Sequence, residues 1–260
     1  MNPKRPQQLQ ALERLLDIMD DLRTGCPWDK EQTIESLRLL TIEETYELGD
    51  AILDKDMDEI KKELGDLLLH IVFYAKIADE TDDFDIADVA NSISDKLVQR
   101  HPHIYGDVNV QNADDVKQNW EEIKLKEGKK SVLEGVPKSL PALVKAYRIQ
   151  DKAAGIGFDW DDKQQVWAKV EEEIGELQEE IKNKNQERIN DEFGDVLFAL
   201  INYARFINVS PENALESTNK RFINRFQQME KVISSEGKQM KKMTLEELDA
   251  YWDKAKTVFP

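Results

Sequence analysis

The stretch that decides the fold is residues 43–75, EETYELGDAILDKDMDEIKKELGDLLLHIVFYA. Aligned without a gap on residues 172–204, EEIGELQEEIKNKNQERINDEFGDVLFALINYA, it is identical at 13 of 33 positions. Unrelated stretches of this length would match at about two positions. Apolar residues recur three and four positions apart in both copies, which is the period of an amphipathic helix. The sequence therefore predicts a duplication of a helical unit.

Helical spacing of apolar residues continues over almost the whole chain, and no stretch alternates as a β-strand would. We expect an all-α fold of two tandem repeats. The predicted N-terminal repeat is 1–130 and the predicted C-terminal repeat is 142–260, with a linker at 131–141 that contains Pro137 and Pro141. The segment WEEIK (120–124) in the first repeat corresponds to WDKAK (252–256) in the second.

Composition limits the partners of this chain. The 260 residues carry a formal net charge of −17, which disfavours binding to polynucleotides and to anionic membranes. A small phosphorylated ligand stays compatible with this charge, because a divalent cation reverses the local field of a carboxylate site. Cys26 is the only cysteine, and no apolar run reaches the length of a membrane span or a signal peptide. We expect a cytoplasmic protein without disulfides.

Acidic residues recur at the same spacing in both repeats, as E-E-x-x-E followed, after fifteen residues, by E-x-x-D. Residues three or four positions apart share one face of a helix. If the two helices of each repeat pack antiparallel through a short connection, the two acidic pairs face one another. The carboxylates that would then converge are Glu44, Glu47, Glu63 and Asp66 in the first repeat and Glu173, Glu176, Glu192 and Asp195 in the second.

Such a cluster is suited to hard cations, because Mg²⁺ takes oxygen ligands and completes its shell with water and substrate phosphates. The interpretation that follows is metal-assisted hydrolysis of a phosphoanhydride. For a single copy, a solvated acidic helix face would be the simpler explanation. Two copies in one register, each with a Gly-Asp step at 65–66 and 194–195, favour a site.

Basic residues accompany the acidic ones. In NKRFINRF (219–226), Lys220 precedes Arg221 and Arg225, which share a helix face and could bind a polyphosphate. Surface ion pairs with neighbouring glutamates are the alternative. Lys96 and Arg100 stand at the matching place in the first repeat, which favours a function in ligand binding.

Tryptophans also recur. Trp120 and Trp252 lie near the ends of their repeats and could stack on a base, although core packing is the simpler interpretation. Trp28 and Trp160 lie in breaks ahead of the acidic helices, where they could form the wall of a nucleotide pocket or anchor the loops.

The motifs taken together resemble a known family. CPWDKEQT (26–33) and RHPHIYGD (100–107) in the first half, GFDW (157–160) and NKRFINRF in the second half, and the repeated acidic pattern are similar to the MazG family of bacterial nucleoside triphosphate pyrophosphohydrolases. The resemblance covers essentially the whole chain, including its duplication.

The resemblance implies a four-helix core that holds Mg²⁺, with Mn²⁺ as a substitute, and that binds ATP and other nucleoside triphosphates. It implies hydrolysis of ribo- and deoxyribonucleoside triphosphates to monophosphate and pyrophosphate, by attack of metal-activated water on the α-phosphorus. It further implies a homodimer in which the C-terminal repeat is the main catalytic one, while the first site could be inactive. The implied metal ligands are Glu173, Glu176, Glu192 and Asp195. The catalytic role is implied for Glu172 and Glu173. The implied nucleotide-binding residues are Lys169, Glu172, Lys220, Arg221, Arg225, Trp252 and Lys256.

Acidic helices also occur in two other classes of protein. A di-iron carboxylate bundle would use Glu-x-x-His pairs, and none of the three histidines follows a glutamate by three residues. A non-catalytic helical module could instead bind nucleotides or a protein partner through its acidic face. Tight nucleotide binding without a metal-dependent product would favour that module.

Overall fold

The computed structural model describes residues 2–112, 115–116, 119–120, 123 and 131–258. These residues form helices and turns, with no strand among them, so the predicted all-α class is confirmed. The chain divides into two compact units, Met1–Val110 and Gln111–Pro260. The linker predicted at 131–141 stays a prediction. Residues 121, 122 and 124 of the WEEIK segment, and the predicted end of the first repeat at 130, lie outside the described residues.

The first unit contains six described helices: α1 (Arg5–Gly25), α2 (Pro27–Glu31), α3 (Ile34–Asp54), α4 (Met57–Asp79), α5 (Ile86–Arg100) and α6 (Pro102–Tyr105). The central helix is α4, which packs against α1, α3 and α5. Met19, Leu37, Val72 and Phe73 form its buried core. Helices α3 and α4 are joined by two residues and therefore run antiparallel, as the 2.7 Å hydrogen bond between Thr41 Oγ1 and the Tyr74 hydroxyl confirms.

The second unit contains α7 (Ala142–Ala154), α8 (Lys163–Asn183), α9 (Gln186–Phe206), α10 (Pro211–Ser235) and α11 (Leu245–Val258), with a 3₁₀ turn at Met240–Lys242. Helices α8 and α9 pack against each other, and so do α10 and α11. Helix α7 contacts both pairs, through α9 and α10. Met229, Ile233 and Tyr251 form the core between α10 and α11.

The two acidic hairpins end their first helix in the same way. Lys55 after α3 and Lys184 after α8 both adopt a left-handed backbone, each with φ of 57°. The next residue then caps the following helix: Asp56 accepts hydrogen bonds from the backbone N–H groups of Asp58 and Glu59, and Asn185 accepts one from that of Arg188. Because this two-residue connection is the same in both units, the backbone places the acidic positions of the two hairpins in the same register.

No helix in the described part of the chain combines the length and the apolar character that a bilayer crossing requires.

Candidate functional site

The carboxylates of the first unit converge between α3 and α4. Glu44, Glu63 and Asp66 each place one oxygen so that all three oxygens lie within 4.8 Å of one another. Glu47 is not part of this triplet, but its charge acts on Glu44 one turn earlier and raises the pKa of that carboxyl. Glu47 also lines an acidic cleft of about 310 Å³ together with Glu63. The structure thus brings three of the four predicted residues together and leaves the fourth beside them.

The second unit repeats the arrangement between α8 and α9 with a different membership. Here Glu173, Glu176 and Glu192 bring one oxygen each within 4.8 Å of the others. Asp195 is outside this triplet, although its charge contributes to the raised pKa of Glu192. The triplet of the first unit therefore takes one acid from α3 and two from α4. The triplet of the second unit takes two acids from α8 and one from α9.

Burial makes these carboxylate clusters destabilising to the folded protein when no cation is bound. The side chain of Glu63 is 0% exposed, and its Oε2 has no hydrogen-bond partner among the described residues. Glu173 is buried as well. A buried carboxylate oxygen without a donor is destabilising, and a bound cation would satisfy it. The residues present therefore fit a hard divalent cation.

The charges of neighbouring carboxylates shift the titration of each cluster. Burial, followed by the charges of Asp66 and Glu47, raises the pKa of Glu44 above its ordinary value. Burial, followed by the charges of Glu176 and Asp195, does the same to Glu192. A raised pKa means that each of these carboxyls keeps its proton to a higher pH than an isolated carboxyl does. Because a cation competes with that proton for the carboxylate, we expect the affinity for the cation to fall as the pH is lowered through the raised pKa.

Each cluster is partly neutralised by one lysine, and the two lysines come from different places. In the first unit, Lys62 Nζ lies 3.0 Å from Glu63 Oε1 and 2.7 Å from Glu59 Oε1. Its hydrogen bond lowers the pKa of Glu63, which therefore stays ionised although it is buried. In the second unit, Lys169 Nζ lies 2.8 Å from both Glu172 and Glu173.

The lysines have no counterpart in the other repeat. Lys62 aligns with Asp191 and Lys169 aligns with Leu40. Lys169 approaches from the first helix of its hairpin, and Lys62 from the second. The repeated acidic pattern is thus embedded in two different electrostatic settings.

Apart from Lys169, the basic residues predicted to bind the nucleotide lie with Trp252 on the other helix pair of the second unit. Lys220, Arg221 and Arg225 are on α10, and Trp252 and Lys256 are on α11. Arg221 donates to Thr218 Oγ1 at 2.9 Å. The ring of Trp252 packs on that of Phe222 with centroids 5.0 Å apart, and Lys256 pairs with Asp253. Trp252 therefore packs against the core between α10 and α11, and its predicted place beside the nucleotide stays a prediction.

One residue near the second cluster, Glu180, was not indicated by the sequence patterns. Its charge, like those of the predicted acids nearby, raises the pKa of Glu192. Its counterpart in the first repeat is Ala51, so the repeat comparison could not indicate it. Its position seven residues after Glu173, on the same helix face, was the available signal.

Comparison with known proteins adds independent findings. The model of the MazG nucleotide pyrophosphohydrolase domain matches residues 32–105 and 162–230, one match in each compact unit. The chain is 42% identical over 257 residues to a nucleoside triphosphate pyrophosphohydrolase of Escherichia coli K12, covering 95% of this chain and 98% of that protein.

Two further similarities come from Thermotoga maritima. The chain is 45% identical over 249 residues to a nucleoside triphosphate pyrophosphohydrolase/pyrophosphatase MazG, covering 94% of this chain and 95% of that protein. The crystal structure of a MazG-related protein aligns with 44% of this chain and 98% of its own, with 25% identity and a TM-score of 0.39.

Proposed function

This chain belongs to the MazG nucleotide pyrophosphohydrolase family and is a nucleoside triphosphate pyrophosphohydrolase, and from that premise we propose that its reaction depends on Mg²⁺ held by the carboxylates of the second unit. The observation that carries this proposal is the convergence of Glu173, Glu176 and Glu192 within 4.8 Å between two rigid helices. Asp195 is proposed as the fourth ligand. Mn²⁺ is the expected substitute, since it accepts the same oxygen ligands.

The bound cation would neutralise phosphate charge and activate water for attack. Glu172 is proposed to orient that water and to take up its proton, because it is exposed next to the buried Glu173. Lys169 contacts both of these glutamates in the cation-free protein. When a cation takes over Glu173, Lys169 becomes available to a phosphate oxygen.

We further propose that the phosphates of the substrate are bound by Lys220, Arg221 and Arg225 of α10. Arginine suits this role because its planar guanidinium presents several donors to phosphate oxygens. Trp252 and Lys256 are proposed to lie beside the nucleotide. The negative charge that develops on the leaving pyrophosphate would then be stabilised by fixed positive groups.

The reaction proposed is attack of water on the α-phosphorus of a ribo- or deoxyribonucleoside triphosphate, ATP included. Hydrolysis in water labelled with ¹⁸O tests this directly, because the oxygen of the attacking water stays on the phosphorus that it attacks. We expect the label in the nucleoside monophosphate and unlabelled pyrophosphate, as read by mass spectrometry. Label in pyrophosphate would place the attack on the β-phosphorus, and orthophosphate with diphosphate as main products would contradict the proposed reaction.

A homodimer is proposed as the functional form, with support from one face of the acidic hairpin of the second unit. Phe193, Leu197 and Leu200 form a stripe on α9 at helical spacing, and all three are exposed, Phe193 by 55%. A second copy of the chain would cover them. A light-scattering mass equal to one chain across the working concentration range would contradict the dimer. The cytoplasmic location expected from the sequence stays a prediction.

A further inference from the structure

The acidic cleft of about 310 Å³ in the first unit lies at the closed end of the hairpin, between α3 and α4. Six of the seven residues in its walls are acidic. These six are Glu47, Asp50 and Asp54 of α3, Asp56 at the N-cap of α4, and Glu59 and Glu63 within α4. Carboxylates so close together repel one another, so a cation between them would stabilise the folded hairpin.

The acids form two rows, one along each wall of the cleft. Asp56, Glu59 and Glu63 are three and four residues apart and therefore lie on one face of α4. Their successive separations along the helix axis are about 4.5 and 6 Å. The three acids of α3 repeat these intervals in the reverse order. The cleft thus presents carboxylates over a length of about 10 Å, which one metal ion is too small to span.

The inner end of the acidic cleft has a buried acceptor that is not satisfied. Glu63 is 0% exposed, and its Oε1 accepts a hydrogen bond from Lys62 Nζ at 3.0 Å. Its Oε2 has no hydrogen-bond partner within the described part of the chain. Lys62 also pairs with Glu59, and its side chain is 60% exposed, so it lies at the rim of the cleft. An ammonium group inside the cleft would donate to Glu63 Oε2 and remove this destabilising contribution.

The equivalent hairpin of the second unit supplies a cation of its own. Three acids of the cleft align there with uncharged or basic residues: Asp54 with Asn183, Asp56 with Asn185 and Glu59 with Arg188. Arg188 Nη1 lies 4.0 Å from Glu180 Oε1, so this guanidinium reaches a carboxylate of the same hairpin. The first unit has Glu59 at that position and carries more negative charge in its place. A cation from outside the chain would have the corresponding role there.

The length of the two acidic rows favours a chain of linked ammonium groups. Amines joined by three or four methylene groups have extended separations close to those of the acids along α4. One ammonium on an exposed carboxylate is bound weakly, but linked ammonium groups bind together because each further contact is intramolecular. Ala51, the seventh residue of the wall, offers apolar surface to the methylene groups. These features are the chemistry that recognises an aliphatic polyamine.

We propose that the acidic cleft binds a linear aliphatic polyamine, with one ammonium group on Glu63 Oε2 and the others on the acids nearer the connection between α3 and α4. Glu63 also belongs to the carboxylate triplet of the first unit, so the polyamine and a divalent cation compete for it. The polyamine concentration would then set how far the first unit is occupied by a divalent cation. This inference does not depend on the reaction proposed for the second unit.

The test is a spermidine titration of the full chain without divalent cations, followed by hydrogen exchange of the α3 and α4 amides. The midpoint of their protection reports binding at this hairpin alone. We expect Glu59→Arg, which introduces the residue of the second hairpin, to raise the midpoint about tenfold or more, because it replaces attraction by repulsion. Asp54→Asn should raise it about threefold. Since neither variant changes the triplet, Mg²⁺ should still protect the same amides in both.

Asp58→Arg is the matched control, because it makes the same change of charge in the same first turn of α4, at a side chain that is 94% exposed and outside the cleft wall. It should leave the spermidine midpoint nearly unchanged. Asp54→Asn keeps the test valid if Glu59→Arg fails to fold. An unchanged midpoint in the folded cleft variants overturns the proposal, and so does an equal shift in Asp58→Arg. Equal protection by butylamine, which has one ammonium group, would overturn it as well.

Discussion

Replacing Glu173 by alanine should lower kcat for nucleoside triphosphate hydrolysis by about a thousandfold. Glu173 is a buried member of the carboxylate triplet of the second unit, and Lys169 lies 2.8 Å from it. A cation that stabilises phosphate charge in the transition state contributes several kcal/mol, and about 4 kcal/mol corresponds to three orders of magnitude in rate. Pyrophosphate release at saturating substrate and Mg²⁺ measures the effect.

The equivalent substitution in the first unit, Glu44→Ala, assigns the catalytic unit. If the C-terminal repeat is the main catalytic one, Glu44→Ala should retain most of the activity. Glu179→Ala, which removes an exposed glutamate from α8, is the control for a general loss of negative charge and should be neutral. A large loss in Glu44→Ala with little loss in Glu173→Ala would move catalysis to the first unit, and comparable losses would mean that both repeats contribute.

Replacing Glu63 by methionine should stabilise the first unit in the absence of a divalent cation and abolish its response to one. Glu63 is fully buried, its Oε2 has no described partner, and among the described residues it forms an ion pair with Lys62, whose side chain is 60% exposed. Exchanging a buried ion pair for apolar side chains is commonly neutral or stabilising by about 1–4 kcal/mol, and the destabilisation expected from removing one partner does not arise here, because Lys62 is exposed and keeps its pair with Glu59. For a unit of this size, that is a rise of several degrees in Tm.

In the unmodified chain the same carboxylate should couple folding to cation binding. Because only the folded hairpin presents the triplet, added Mg²⁺ should raise the unfolding temperature of the first unit and protect the α3 and α4 amides from hydrogen exchange. Glu63→Met should lose both responses. Glu43→Met, at an exposed position of α3, should change the stability by less than about 0.5 kcal/mol and keep them. A Glu63→Met variant that is less stable without cation and still protected by Mg²⁺ would contradict a cation site here.

The two lysines explain why the repeats need not have equal functions. Lys62 is adjacent in sequence to the buried Glu63, whereas Lys169 contacts the exposed Glu172 as well as Glu173. In the second unit Lys169 thus lies between an exposed and a buried carboxylate, which is where we propose that a substrate phosphate binds. In the first unit it balances a charge that would otherwise be isolated in the interior.

Much of the architecture was determined by local sequence alone. The all-α class follows from apolar residues at helical spacing, and the two hairpins follow from a 33-residue duplication with a matching two-residue connection. Four acids in each repeat were expected to converge, because helix periodicity and a short antiparallel turn together determine which side chains face each other, and three of the four do so in each repeat. These are relations between neighbours in sequence, and a repeated pattern makes them visible.

Only the tertiary structure decided which acids meet in each triplet and from which helix a lysine reaches them. Asp195 and Glu47 stand beside the triplets and not within them, and Lys62 and Lys169 approach from different helices. A hydrogen bond from Gln150 Nε2 to the Phe198 carbonyl joins two residues that are 48 positions apart in the chain. The physical reason is the same in each case: side-chain packing between separate helices sets these distances to within an ångström, whereas periodicity determines only which face of a helix a residue occupies.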